Sequence, residues 1–334
     1  MTVVPPAAGE PRRPEGPRDP GDAWVVAPTG ERYWGRFGAA GLLAYDPARG
    51  VLLQHRVAWS HFGGTWGLPG GAMHENESAI AGAVREAQEE AGVPDGAVRP
   101  RFVSVLDLEV WSYSTVLADV LVPFDPVISD PESVALEWVP VAEVDSRPLH
   151  PGFARAWPML RALLDVYPAV VVDAANVVGS VPDGWWKDRA GAAARLRERL
   201  RGLRVSGEDL GLDGTAWFPE VSLVVEGRAR EIARHADTDG DGAGGAGLAG
   251  GAGVVGGAGG AGRYRRDAVK VVEAPAAGDD AIVDEAARLV ALGRAVTVVT
   301  SDRELRERSE QVRAHVRSTG WLRGVLDASG ESGR

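Results

Sequence analysis

One short stretch gathers the residue types that hold a divalent cation. Gly71 is followed after five residues by Glu77 and, after seven more, by Arg85-Glu86-Ala87-Gln88-Glu89-Glu90-Ala91-Gly92-Val93. On a helix, Glu86, Glu89 and Glu90 stand at i, i+3 and i+4, so their carboxylates share one face. Crowded carboxylates repel in water. A divalent cation removes that repulsion, and hard oxygen ligands select Mg²⁺ or Mn²⁺. A metal held there neutralises a diphosphate and polarises an attacking water. Arg85 can pair with Glu77 and fix the preceding loop against the helix. Gly70 and Gly71 let backbone N–H groups approach phosphates. A helix with a solvated acidic face would show the same three glutamates. The spacing separates the two readings, because chance agreement at every fixed position is on the order of one in ten million per start.

The elements that must position these groups are legible around them. Residues 41–46 and 51–56 read as strands joined by an Asp-Pro-Ala-Arg-Gly turn. A glycine-rich loop follows over 63–71. A helical pattern then runs over 78–91 and stops at Gly92, with Pro94 just beyond. Ile80, Ala83, Val84 and Ala87 can pack away from the glutamates. Strand patterns follow at 102–108, 115–122 and 135–139, and a helix over 151–166 closes this half.

This arrangement resembles the Nudix hydrolase signature, and the lead-in Gly64-Thr65-Trp66-Gly67-Leu68-Pro69-Gly70-Gly71 is similar to the family's approach to it. Glu137-Trp138-Val139-Pro140 is similar to its late strand, so the resemblance spans about 34–164. It implies an α/β/α sandwich and water attack on a phosphorus of a nucleotide diphosphate. It also implies that Glu86, Glu89 and Glu90 hold the metal, with Glu86 or a residue from a later loop as base. The glycine-tryptophan loop looks most like the MutT-like branch. Arg56 could touch phosphate or be a surface charge. Trp59, Phe62, Trp111 and Tyr113 could stack on a base or fill the core. His55, His61 and His74 show no zinc spacing and read as loop residues.

The second half alternates strands (170–173, 221–226, 269–273, 295–300) with helices (189–201, 280–292, 302–317), which implies a parallel sheet covered on both faces. Acids recur where strands end: Asp173, Glu226, Asp279-Asp280 and Asp302. Ligands bind beyond the carboxyl ends of such strands, so a metal and phosphodiester hydrolysis fit. Helix capping would equally account for Asp280 and Asp302. The segments around Asp173-Ala174-Ala175-Asn176, Gly278-Asp279-Asp280 and Thr300-Ser301-Asp302 resemble the NYN branch of PIN-like nucleases, near the YacP-type proteins. That resemblance implies Mg²⁺ at Asp173, Asp280 and Asp302, with Asn176 and Glu226 nearby, and RNA as partner. Arginines of 302–317 could contact RNA or form a solvated face.

The expected organisation is a disordered proline-rich leader over 1–30, a Nudix α/β/α sandwich over 31–165, and a PIN-like parallel α/β/α domain over 166–330. A glycine-alanine insertion over 237–262 should be a flexible loop. Its start imitates a calcium loop, but the twelfth position is Leu248 instead of glutamate. Each half should fold alone. The 334 residues carry no cysteine, which excludes disulfides and thiol nucleophiles. A net charge of -11 weakens any case for sequence-independent duplex binding. No apolar run reaches the ~18 residues of a membrane helix, so the default location is the cytoplasm. The competing readings are a bifunctional enzyme, a Nudix enzyme with a binding domain, and a nucleotide sensor without turnover.

Overall fold

The computed structural model describes residues 1–4, 20–129, 131–180, 188–230, 269–275 and 278–331. The 237–262 insertion, with its calcium-loop imitation, lies outside the described residues. The chain divides into two compact units.

The first unit comprises Met1–Asp165 and Ser206–Trp217 among the described residues. Three short strands open it: β1 (Thr2–Val4), β2 (Trp24–Val26) and β3 (Arg32–Trp34). They pair antiparallel in the order β1-β2-β3. The expectation of a disordered 1–30 is corrected at both ends of that span. The reason is the pairing itself: Trp24 packs edge-on against Trp34, and the chain between β2 and β3 turns back through Gly30 at φ 92.

The larger sheet of this unit is mixed. It contains β4 (Ala39–Asp46), β5 (Gly50–Arg56), β6 (Trp66–Gly67), β7 (Gly70–Ala72), β8 (Val98–Asp107), β9 (Ser112–Val120) and β10 (Ser133–Val139). Its order is β10-β5-β4-β9-β8-β12, with β6 on β5 and β7 on β4. β12 is Ala216–Trp217, antiparallel to Val103 and Phe102 of β8. Sequence placed 206–217 with the second half. The fold places it here because Trp217 is fully buried against Phe102, and Thr215 accepts a hydrogen bond from the Val105 N–H. Helix α1 (Ala79–Ala91) packs on β4, β7 and β9, and α2 (Pro151–Leu163) buries Phe153, Trp157, Leu160 and Leu163.

The second unit is a five-stranded parallel sheet of β11 (Pro168–Asp173), β13 (Glu220–Val225), β14 (Val269–Glu273), β15 (Ala295–Val299) and β16 (His315–Arg317). Its order is β14-β13-β11-β15-β16. Chain order therefore reverses at β11, the kind of switch point beside which parallel sheets bind ligands. The helices are α3 (Ala174–Gly179), α4 (Arg189–Leu200), α6 (Gly278–Ala291), α7 (Arg303–Gln311) and α8 (Thr319–Glu331); the short α5 (Gly207–Leu210) lies in the first unit. The single helix expected over 302–317 is corrected: it ends at Gln311, Arg313 turns left-handed at φ 66, and the chain re-enters the sheet as β16. Among the described residues no helix is long and apolar enough to cross a membrane.

Candidate active site

Helix α1 begins where the Ser78 hydroxyl accepts the Ala81 N–H, and ends where Gly92 takes the left-handed conformation. The face it buries carries two of the three glutamates. Glu86 and Glu90 are 3% and 2% exposed, whereas the Glu89 side chain is 46% exposed. A solvated acidic face is thereby excluded, because ionisable groups go fully inside only with dedicated partners.

Arg85 supplies much of that partnership. Its Nε and Nη2 donate to the two carboxylate oxygens of Glu77, both at 2.9 Å. Nη2 also donates to the Ala72 carbonyl at 2.9 Å and Nη1 to Glu86 Oε1 at 2.6 Å, while Glu89 lies 3.6 Å away. The His74 N–H donates to Glu77 as well. Burial alone would raise the Glu77 pKa; the bonds from Arg85 and His74 outweigh it and hold the pKa below the ordinary glutamate value.

The glycines of β7 close the site from the other side. The Gly70 N–H donates to Glu90 Oε2 at 2.9 Å. A Cβ at Gly71 would stand 2.6 Å from Glu86 Oε2, so any side chain there would take the space the carboxylate uses. Among the described residues no three His, Asp or Glu side chains form a ready metal-ligand group. The donors are nevertheless all carboxylate oxygens, two of them buried, beside a cradle a Cβ would fill. That chemistry fits a hard divalent cation.

Further titratable groups act on one another around the glutamates. The Tyr113 pKa is pushed up to about 12, mainly by burial and further by Glu90 and Glu86, with Arg56 pulling it back. Arg56, on β5, donates through Nε to the His61 carbonyl at 3.2 Å. The His150 pKa falls to about 4 through burial, Arg56 and His61, and that of His61 falls through burial, Arg56 and Arg32. Trp111 is structural: its indole donates to the Trp34 carbonyl and its ring stacks on Tyr33. Trp59 and Phe62 stand exposed in the loop between β5 and β6.

The NUDIX domain model matches residues 35–163. A Mycobacterium tuberculosis protein named "Putative 8-oxo-dGTP diphosphatase 3" is 45% identical over 184 residues, which cover 52% of this chain and 82% of that one. The chain belongs to the Nudix family. Its Nudix unit is a hydrolase of phosphoanhydride bonds. A Bifidobacterium longum "Nucleoside triphosphate pyrophosphatase/Nudix hydrolase fusion protein" is 40% identical over 164 residues, covering 45% of this chain and 33% of that one. The crystal structure of a Nudix hydrolase from M. smegmatis, RenU, is 45% identical, covers 43% of this chain and 94% of that one, and superposes with a TM-score of 0.40.

Beyond the Nudix span, the second unit brings four acids to the carboxyl ends of its strands. Asp173 ends β11, caps α3 by accepting the Asn176 N–H at 3.0 Å, and accepts the Thr300 hydroxyl at 3.1 Å. Asp302 follows β15 and caps α7 through the Leu305 N–H at 2.8 Å. Glu226 follows β13 and accepts the Gly278 N–H at 2.9 Å. Asn176 accepts the Ser301 N–H at 3.1 Å. Burial raises the pKa of Asp173, and the charges of Asp279 and Glu226 add to it. Burial likewise raises Asp279, with Asp302 and Glu226 adding. The fourth member is thus Asp279. Asp280, expected from sequence, pairs instead with Arg308 at 2.5 Å; successive helical positions point about 100° apart, so only one of two neighbours can face the strand ends. Arg303 likewise pairs with Glu307, leaving α7 laced with ion pairs. No sequence signal marked His150; Asp279 was marked together with Asp280, and the ligand role was given to Asp280.

Proposed function

We propose that the Nudix unit hydrolyses a diphosphate bond of a nucleoside di- or triphosphate with Mg²⁺ or Mn²⁺ as cofactor. The observation that carries this reading is the burial of Glu86 and Glu90 against the Gly70-Gly71 cradle. Glu86, Glu89 and Glu90 would hold the cation, which when bound neutralises the diphosphate and polarises the attacking water. Arg85 orients Glu86 and Glu77 and keeps Glu77 ionised. Gly70 fixes Glu90 through its N–H. Arg56, whose Nη2 lies 3.8 Å from Glu132 and whose Nε donates to the His61 carbonyl, would contact a phosphate oxygen through its remaining N–H groups. A relative named for 8-oxo-dGTP supports a purine nucleoside triphosphate as substrate. The test is a phosphate-release screen over nucleotides with Mg²⁺. Release from none of them refutes the reading.

A second reading concerns the other unit: a metal-dependent, PIN-like ribonuclease centred on Asp173, Asp279 and Asp302, with Glu226 and Asn176 beside them. Its support is that these acids stand at the carboxyl ends of strands beside the switch point of a parallel sheet, where Asp279 and Glu226 raise the pKa of Asp173, although among the described residues they form no ready metal-ligand group. The alternative is a non-catalytic domain that binds RNA or protein. Incubating single-stranded and structured RNA with the full chain and Mn²⁺ separates the two; cleavage that persists in Asp302→Asn would belong to another protein.

A further inference from the structure

Four observations concern the rings beside Arg56. First, the rings and the glutamates are joined through one sheet. Gly70, which donates to Glu90, pairs with Gly41, against which the Tyr113 hydroxyl lies, and Arg56 on β5 of the same sheet donates to the His61 carbonyl. A nucleotide whose diphosphate reached both the glutamates and Arg56 would bring its base towards these rings. Second, those rings form a cluster. Phe62 packs against His61 at 4.3 Å and edge-on against His150 at 4.8 Å, and His61 meets Trp24 at 5.7 Å. Third, Trp24 lies outside the 35–163 match, on the N-terminal sheet, with the Arg32 guanidinium 4.5 Å above its ring. Fourth, Phe62 is 45% exposed and sits at φ 54. A bulky residue in that region is strained, and such strain persists where surrounding structure holds it for use.

We infer that the N-terminal sheet completes the base-binding wall of the Nudix site: Trp24, braced by Arg32, backs His61, Phe62 meets the face of a purine and His150 its edge. The inference rests on the hydrolase reading above. A purine suits the wall because its bicyclic ring covers more apolar area than a pyrimidine, and area removed from water sets the gain. The imidazole of His150 adds direction. Its Nδ1 accepts the Gly152 N–H at 3.2 Å, so in the neutral ring the proton sits on Nε2, a donor for a purine acceptor. Burial beside Arg56 keeps that ring neutral. The wall acts on binding and specificity; the groups that touch the diphosphate lie elsewhere.

The test compares a purine nucleoside triphosphate with ribose 5-triphosphate, which lacks the base. Phe62→Ala should raise KM for the purine substrate about tenfold, in line with the loss of one base–aromatic stack, and Trp24→Ala should raise it by a smaller factor, about threefold, because Trp24 acts on the base only through His61. Their kcat values should stay within about twofold, and ribose 5-triphosphate kinetics should not change, since uniform binding was all that was removed. Trp24→Phe should restore most of the loss. Phe62 is exposed, so its truncation leaves the core intact even if Trp24→Ala does not fold. Binding of an α,β-methylene purine analogue, measured by calorimetry, should weaken in each variant by the factor its KM rises and reads the wall independently of turnover. Loss of turnover in Glu89→Gln tests the hydrolase reading separately. Equal KM changes on both substrates, or unchanged analogue binding in both variants, overturns the wall.

Discussion

Trp217→Ala should weaken the Nudix unit, although the residue lies far along the chain from the Nudix box. The indole is fully buried, its ring centroid is 4.7 Å from that of Phe102, and its Nε1–H donates to the Asp213 carbonyl. A buried tryptophan hides about 150–250 Å², worth roughly 4–6 kcal/mol at about 25 cal/mol/Å². That figure is an upper bound, since unfolded chains already bury part of the surface. Truncations of this kind cost about 3–5 kcal/mol, so we expect about 4. A domain has about 5–15 kcal/mol in all, and the loss is a large share of it. With a urea slope near 2 kcal/mol/M, the unfolding midpoint should fall by about 2 M. The readout must belong to the Nudix unit: loss of hydrolysis against urea, checked by amide exchange along β8. Trp217→Phe should recover most of the shift. A midpoint moved by less than about 0.5 M, roughly 1 kcal/mol at that slope, refutes the account. By the same reasoning a chain ending near residue 165, which sequence alone expects to fold and work, should be less stable than the whole protein, because β8 loses its edge strand.

Glu89→Gln should cut Mg²⁺-dependent turnover by about a hundredfold or more while the melting temperature holds, since it removes a charge from the metal site without changing shape; full activity in purified variant would sink the ligand assignment. Gly71→Ala should reduce activity more than stability, because its methyl meets the Glu86 carboxylate and not the core; unchanged kinetics would contradict the cradle. Burial beside Arg56 holds His150 at about 4 in the folded state against 6.5 ordinarily. Between those values the unfolded chain binds more protons, so the stability His150 contributes is complete above about pH 6.5 and lost as pH falls towards 4. Asparagine caps a helix without titrating, so calorimetry of His150→Asn should show a shallower pH slope over that window; an equal slope rules His150 out. In a Glu89→Gln background, Mn²⁺ should still raise the melting temperature, and Asp302→Asn should abolish that rise; if no rise exists, the second unit is not a metal site.

How much of this was legible in sequence depended on the range of the cause. Helix α1, its cap at Ser78, its stop at Gly92 and the Arg85–Glu77 pair are set by spacings within a turn or two of helix. Local periodicity reports such things directly. The parallel sheet of the second unit showed for the same reason: its strands are continuous apolar runs between helices. Other features needed the fold. Sequence put Glu86 and Glu90 on a face apart from the apolar residues, and only the packing of β7 against α1 shows that both are buried. It named Asp279 and Asp280 together and gave the ligand role to Asp280, and only the fold shows Asp280 paired with Arg308. It read 302–317 as one helix, where sheet pairing at β16 overrides local propensity. It gave 206–217 to the wrong half and left Trp24 in a leader. The physical reason is common to all of these. Burial, edge pairing and ring contacts are made between segments distant in the chain, and their energy depends on which surfaces the fold has left uncovered.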